Sequence, residues 1–280
     1  MASLWLLPIV SSVVAAASGG IVATALLPYS PQLARSTIIV SYVVWGTGVP
    51  PAMFIITLWI YRSAIHGLPS PAALPSVFLP LGPCGQGSFG IVLLGKVTRE
   101  LAYNHDIGFS VVSGQSARNM ADAIYAGGLV TGLIFWGLGL MWYVLASAFF
   151  IEHCIRNRTY VGVKSFTIGF TALTFPIGVW ATATTELAAE LDSPAFKIIG
   201  TVVSIQVVFN WLYVFLMTCW KAIDGSVFVA PEVAGFEGGR PPLRWGSTKT
   251  RVIECSQGDL RHCRVRSLYF LTLICMHQAY

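Results

Sequence analysis

Residues able to carry covalent chemistry are scarce in this 280-residue sequence. All five histidines lie outside its long apolar runs, so Ser88, which lies in a run, has no base to activate it. Haem ligation between two helices would likewise need histidines within those runs. We therefore predict no catalytic residue and no cofactor.

The last quarter of the chain holds several potential metal ligands, but their spacing matches no paired zinc-ligand pattern, so no metal site is predicted. They are Cys255, His262, Cys263, Cys275 and His277.

The run 164–188 combines hydroxyls, small residues and one large ring. Thr171, Phe175, Gly178 and Thr182 recur at helical spacing and so share one face, and Thr174 adds a hydroxyl. A large ring on an otherwise small face can close a narrow pore by excluding water. Taken alone, Phe175 is better explained by ordinary packing. With the face around it, the pattern predicts a pore lining gated by Phe175.

A second unusual segment runs from Pro80 to Gly90 and contains two prolines and four glycines. Because prolines remove backbone donors and glycines weaken a helix, we expect a kinked or locally open backbone. Irregular backbone survives at membrane depth only where protein or a water-filled cavity satisfies it. This favours a pathway lining, with a kinked packing helix as the alternative. The predicted lining residues are Gly82, Pro83, Gly85, Gln86, Gly87 and Ser88.

Two charged residues lie near the ends of apolar runs. Lys96 follows the glycine-rich segment, where a cation would raise the local anion concentration, so it is predicted to form an anion vestibule. Snorkelling of the ammonium group to the interface explains Lys96 equally well. Glu186 is expected to be a solvated charge at a helix end.

Transmembrane helices must position these residues. The sequence is 55% apolar and 10% charged, with a mean hydropathy of +0.70, whereas soluble domains carry about 25% charged residues. Six runs are long enough to cross a bilayer core of about 30 Å and do not alternate as barrel strands do. The predicted fold class is therefore an all-α polytopic membrane protein. Its expected spans are 4–27, 36–61, 76–97, 124–151, 164–188 and 195–220.

Side-chain size alternates between these runs. The second, fourth and sixth hold 18 Phe, Trp and Tyr in 80 residues, whereas the other three hold 7 in 71. Bulky rings suit lipid contact, while small residues permit close helix approach or leave space for a lumen. We predict that the odd-numbered spans lie inside.

Basic residues indicate the orientation. Twelve Lys and Arg fall on the side of both termini and five on the other side, which predicts cytoplasmic termini. The sequon 157–159 would then remain unglycosylated. Residues 1–223 are expected to form the transmembrane transporter domain, and 224–280 a disordered cytoplasmic tail. The basic residues do not cluster as a nucleic-acid-binding surface requires, so no nucleic-acid partner is predicted.

Three motifs resemble a known family. They are Gly82-Pro83-Cys84-Gly85-Gln86-Gly87 with Gly95-Lys96, Trp45-Gly46-Thr47-Gly48-Val49-Pro50, and Leu173-Thr174-Phe175-Pro176-Ile177-Gly178-Val179. Taken in their order along the chain, these motifs resemble those of the fungal sulfite efflux pumps. These pumps belong to the tellurite-resistance and dicarboxylate transporter family, which includes malate permeases and plant slow-type anion channels. The resemblance covers about residues 4–231.

The resemblance implies ten helices paired as five hairpins around a pore, assembly as a homotrimer, and a phenylalanine that blocks the pore from the ninth helix. Phe175 matches that phenylalanine. The six spans correspond to the family's last six, so four helices and two inner pore walls are expected to be missing.

From residues and resemblance together we predict a plasma-membrane transporter that exports sulfite or bisulfite through a Phe-gated pore. A C4-dicarboxylate permease or anion channel is the first alternative, and a non-conducting membrane scaffold is the second. A membrane enzyme ranks third. The expected partners are the lipid bilayer, a small inorganic anion or a dicarboxylate, and further copies of the chain.

Overall fold

A computed structural model of the protein describes residues 6–66, 71–110, 114–157, 166 and 168–223. These residues belong to the first of two compact units, Met1–Phe236. The tail expected at 224–280, with its cysteines and histidines, lies outside the described residues, as does most of the sequon.

The described residues form six α-helices, which confirms the predicted all-α class. The helices are α1 (Leu6–Leu26), α2 (Pro31–His66), α3 (Leu81–His105), α4 (Gln115–Asn157), α5 (Thr174–Leu191) and α6 (Pro194–Ile223). Two short 3₁₀ helices, Pro71–Phe78 and Ile168–Leu173, lead into α3 and α5 and pack against each other.

Five of these helices are long and apolar enough to cross a membrane, counted over the described residues. They are α1, α2, α3 with part of the preceding 3₁₀ helix, α4 and α6. The run predicted at 164–188 is different, because α5 has only 18 residues and carries Glu186 and Glu190 near its end. The multi-pass membrane architecture is confirmed, with α5 as a shorter and more polar sixth helix.

Helix α3 forms the centre of the fold. In the most apolar 18-residue stretch of α3 and its preceding segment, 94% is buried. The corresponding share is 39% for α1, 28% for α2, 17% for α4 and 11% for α6. It packs against α1, α2, α4 and α5. Large apolar side chains are exposed on the even-numbered helices, as at Phe54, Ile134 and Phe209. The inward position predicted for the odd-numbered spans therefore holds fully for α3 and partly for α1.

Glycines explain how a central helix can be covered so closely. A Cβ at Gly85 would lie 2.7 Å from the backbone N and Cα of Trp180 on α5. On the α4 side, a Cβ at Gly128 would lie 2.9 Å from the carbonyl oxygen of Ile91. Real Cβ atoms do not come this close, so these glycines allow the helix backbones to pack directly against α3.

The local opening expected in the glycine-rich backbone is wrong, because the segment is helical from Leu81, while the expected kink stays a prediction. Helix α3 is one α-helix from Leu81, and Pro83 lies in its first turn. Proline is tolerated in the first turn because its missing N–H would have no intrahelical partner there. Close packing by the neighbouring helices then offsets the low helix propensity of the glycines.

A stack of aromatic rings fixes α5 against α4. The Trp180 ring stacks on Trp136 with centroids 5.5 Å apart and on Tyr143 with centroids 5.1 Å apart. Trp136 also donates its indole N–H to the Thr184 hydroxyl at 2.8 Å. These contacts bury one face of α5, and α6 packs along it as well, while Phe175, Thr182 and Thr185 remain exposed.

Candidate functional site

Several of the predicted pore residues are exposed on α5 and on the 3₁₀ helix before it. Phe175 lies in the first turn of α5 and is 44% exposed, although it is a large apolar side chain. Thr171 and Thr182 are also exposed, and Gly178 is half-buried. Phe175, Thr171 and Thr182 are thus all exposed, as a shared face requires, whereas a Cβ at Gly178 would lie 3.8 Å from Val207 of α6. Thr185, one turn beyond Thr182, adds a further exposed hydroxyl.

Phe175 lies where the chain passes from a 3₁₀ helix into α5. Pro176 follows it in the first turn, where proline needs no donor. Leu173 occupies the N-cap without a side-chain cap because the chain arrives from a 3₁₀ helix. Thr174 is half-buried, and its hydroxyl oxygen is buried without a hydrogen-bond partner among the described residues.

The hydroxyl protons of this face are directed at the backbone. Thr182 donates to the carbonyl of Gly178 at 3.1 Å, and Thr185 donates to that of Thr182 at 2.8 Å. An approaching anion is therefore met by space and by oxygen lone pairs until a side chain rotates. These hydroxyls could bind an anion only after rotating away from the backbone carbonyls, so such binding would be weak.

Gly82 is the α3 residue that meets this face. The Cε1 atom of Phe175 lies 3.7 Å from the position that a Cβ at Gly82 would occupy. Outside the adjacent residues and the backbone of α3, no other heavy atom of the described residues lies within 4 Å of that position. Two residues far apart in sequence thus meet at the first turns of two inner helices.

The rest of the predicted α3 lining is buried. Gly85 faces the Trp180 backbone, and Gly87 faces Val49 of α2 at 3.3 Å. Ser88 is fully buried and donates to the carbonyl of Gly132 at 2.7 Å. Gln86 and Pro83 are buried too. In this arrangement these residues pack α3 against its neighbours.

At the other end of α3, Lys96 bridges two carboxylates of α5. Its Nζ lies 3.1 Å from Glu186 Oε1 and 2.8 Å from Glu190 Oε1. The Tyr125 hydroxyl of α4 donates to the second oxygen of Glu190 at 2.7 Å. These four residues, called the Lys96 cluster below, connect three helices.

A second ion pair adjoins the Lys96 cluster. Arg99 contacts Asp122 at 2.9 Å and lies 5.0 Å from the ring centroid of Tyr125. The Tyr103 hydroxyl donates to Asp122 at 2.8 Å. A cavity of about 310 Å³ opens between the two groups. Both cations are therefore already paired with carboxylates.

This pairing changes the interpretation of Lys96 and Glu186. Two carboxylates against one ammonium group leave the Lys96 cluster with no surplus positive charge, so its geometry does not support anion attraction. Glu186 is ion-paired rather than a merely solvated end charge. Glu190 and Tyr125 were missed at the sequence level. The four-residue spacing of Glu186 and Glu190 indicated a shared face, but only the helix arrangement identified Lys96 as their partner.

Comparison with known proteins gives one family and several relatives. The family "SLAC1: Voltage-dependent anion channel" matches residues 1–219. The chain is 42% identical over 228 residues to "Sulfite efflux pump SSU1" of Arthroderma benhamiae, and equally to the protein of that name from Trichophyton rubrum. Each alignment covers 81% of this chain and 56% of the relative.

A more distant relative is "Uncharacterized transporter MJ0762" of Methanocaldococcus jannaschii, which is 22% identical over 225 residues, covering 80% of this chain and 57% of the relative. The chain spans slightly more than half the length of these curated relatives. No solved structure matches it.

Proposed function

The chain belongs to the SLAC1 voltage-dependent anion channel family, and from this premise we propose that it exports sulfite or bisulfite across the plasma membrane. The names of its 42% identical relatives support the choice of anion. The anion would pass unchanged, so no enzymatic step is proposed.

One observation carries the proposal: a large ring stands exposed on a face otherwise made of threonine and glycine. An exposed phenylalanine beside exposed hydroxyls at Thr171 and Thr182 fits a water-accessible route better than a lipid contact. The ring would exclude water and block the anion until it moves. The positive N-terminal ends of α3 and α5 would favour an anion beside it.

The test is sulfite flux from proteoliposomes containing the purified full chain. Phe175→Ala should raise the flux several-fold, because it removes the plug and leaves the hydroxyls in place. Phe209→Ala is the matched control, since Phe209 is a phenylalanine of α6 that is 67% exposed and lies outside the predicted pore residues. Its flux should equal that of the wild type.

Three other results would contradict parts of this proposal. Unchanged or lower flux in well-folded Phe175→Ala protein would refute gating. Flux that malate competes away more strongly than sulfite would favour the C4-dicarboxylate permease. A complete lack of flux in every folded variant would refute export by this chain and favour a non-conducting scaffold.

We also propose a multi-pass plasma-membrane location, cytoplasmic termini and a homotrimer. The distribution of Lys and Arg supports the orientation, and the family resemblance supports the trimer. Accessibility of tags at each terminus in intact cells tests the orientation. Native mass spectrometry of the detergent-solubilised protein tests the number of copies.

A further inference from the structure

We infer that Gly82 is the seat of the Phe175 gate, so that the small size of the residue at position 82 sets where the closed ring rests. This inference rests on the proposed function and adds a positioning residue on a second helix. Its starting point is the single 3.7 Å contact between Phe175 Cε1 and the missing Cβ of Gly82.

The ring occupies space that a side chain at position 82 would otherwise fill. Among the described residues, and leaving aside the adjacent residues and the backbone of α3, Phe175 Cε1 is the only atom within 4 Å of that Cβ position. The ring is thus the nearest described neighbour of a side chain at position 82. Enlarging that side chain is expected to act first on the ring.

The backbone does not require glycine at this position. Gly82 lies in the first turn of α3 and lacks the positive φ seen at Gly114. An L-residue would fit its helical conformation and would have a better helix propensity than glycine. The ring beside position 82 therefore limits how large a side chain can be there.

Gly85, three residues further along α3, shows the contrast. A Cβ there would lie 2.7 Å from the backbone of Trp180, which cannot move without shifting α5. Gly85 holds two helices together, whereas Gly82 leaves space for one side chain. Glycines of the same motif therefore serve different purposes.

The expected effects depend on side-chain size. In Gly82→Ala the new methyl group would sit at 3.7 Å, an ordinary van der Waals distance, and should leave the ring in place. In Gly82→Leu the additional carbons would overlap the ring and displace it from its seat. Sulfite flux should be nearly unchanged for alanine and rise about threefold for leucine, which corresponds to about 0.65 kcal/mol in barrier height.

A double variant separates displacement of the ring from any direct effect of leucine. If leucine acts only through the ring, Gly82→Leu combined with Phe175→Ala should give the flux of Phe175→Ala alone. Gly137→Leu is the control, because Gly137 is a helical glycine of α4 with nothing within 4 Å of its Cβ position.

A second measurement does not depend on transport. With 4-fluorophenylalanine incorporated at position 175, the ¹⁹F resonance of the detergent-solubilised full chain reports the surroundings of the ring. The resonance should shift in Gly82→Leu and stay at the wild-type position in Gly137→Leu.

The results distinguish this inference from the proposed function. A shifted ¹⁹F resonance in Gly82→Leu, with no sulfite flux in any variant, would support the seat at Gly82 and refute sulfite export. An unshifted resonance in Gly82→Leu would overturn the seat, whatever the flux. A double variant with less flux than Phe175→Ala would also overturn it, because leucine would then narrow the route directly.

Discussion

The two ends of the contact between α3 and α5 are built differently. Where both helices begin, a ring rests beside a glycine at 3.7 Å. Where both approach their ends, Lys96 bridges Glu186 and Glu190, and Tyr125 adds a hydrogen bond from α4. Between them, Gly85 lets the backbone of Trp180 approach closely.

The difference shows where movement costs least. Separating Lys96 from two half-buried carboxylates would leave charges without partners, and such separation is costly. Rotating one exposed phenylalanine away from a glycine loses only a few dispersion contacts. The start of α5 can therefore change its side-chain arrangement while the end stays connected to α3.

The largest expected effect comes from disrupting the close approach of α3 and α5 at Gly85, which lies between these two ends. Gly85→Val places a branched side chain where a Cβ alone would lie 2.7 Å from backbone atoms. Overpacking of this kind costs about 1–3 kcal/mol or more. The melting temperature and the monodisperse fraction in size-exclusion chromatography should both fall.

Gly137→Val is the control for Gly85→Val, since nothing lies within 4 Å of the Gly137 Cβ position. It should melt close to the wild type. Equal melting temperatures for the two variants would show that the approach of α3 and α5 at Gly85 adds nothing to stability.

A smaller effect is expected at the charged end. Lys96→Met leaves Glu186 and Glu190 facing each other without a cation, and should lower the free energy of unfolding by about 1–2 kcal/mol, between the values for exposed and buried pairs. Denaturant unfolding of the purified protein measures this change.

A double-mutant cycle with Glu190→Gln sharpens the measurement at Lys96. If the 2.8 Å contact contributes to stability, the double variant should lose less than the sum of the two single losses. Strictly additive losses would show that the Lys96 cluster does not couple the two helices. Lys96→Arg, which keeps the positive charge, should retain most of the stability.

The smallest effect concerns the residue that ends α5. Asp192 adopts a left-handed conformation with φ 46°, and a hydrogen bond from Lys197, together with its charge, holds the pKa of this carboxyl group below its usual value. Stability from this contact is therefore present above the unfolded-state pKa of about 3.9. It is lost as the pH falls through the lower folded-state pKa.

Melting curves from pH 7 to about 3 test the contribution of Asp192. The wild type should be slightly more stable than Asp192→Asn at neutral pH, and the difference should shrink as the solution is acidified. Because Asp192 is fully exposed, the difference is expected to be small. A constant difference across this range would show that the contact with Lys197 has no role in it.

Much of the architecture was predictable because it depends on local sequence patterns. Long apolar runs predicted the helices. The sizes of side chains predicted that the odd-numbered spans lie inside, which holds fully for α3 and partly for α1. The hydroxyl face around Phe175 followed from helical spacing alone. Contacts between helices were not predictable in this way, so the assignments of Gly85, Gly87 and Ser88 to a pore lining did not anticipate their burial in packing contacts.

The sequence by itself determined that this protein is a membrane-spanning helical bundle, because hydropathy and helical periodicity are properties of neighbouring residues in one chain. Only the tertiary structure decided that Lys96 is neutralised by α5, that α3 is helical from Leu81, and that Gly82 lies beside Phe175. Each of these depends on which helices touch and at what distance. Those distances are set by packing among segments many residues apart, which local patterns do not encode.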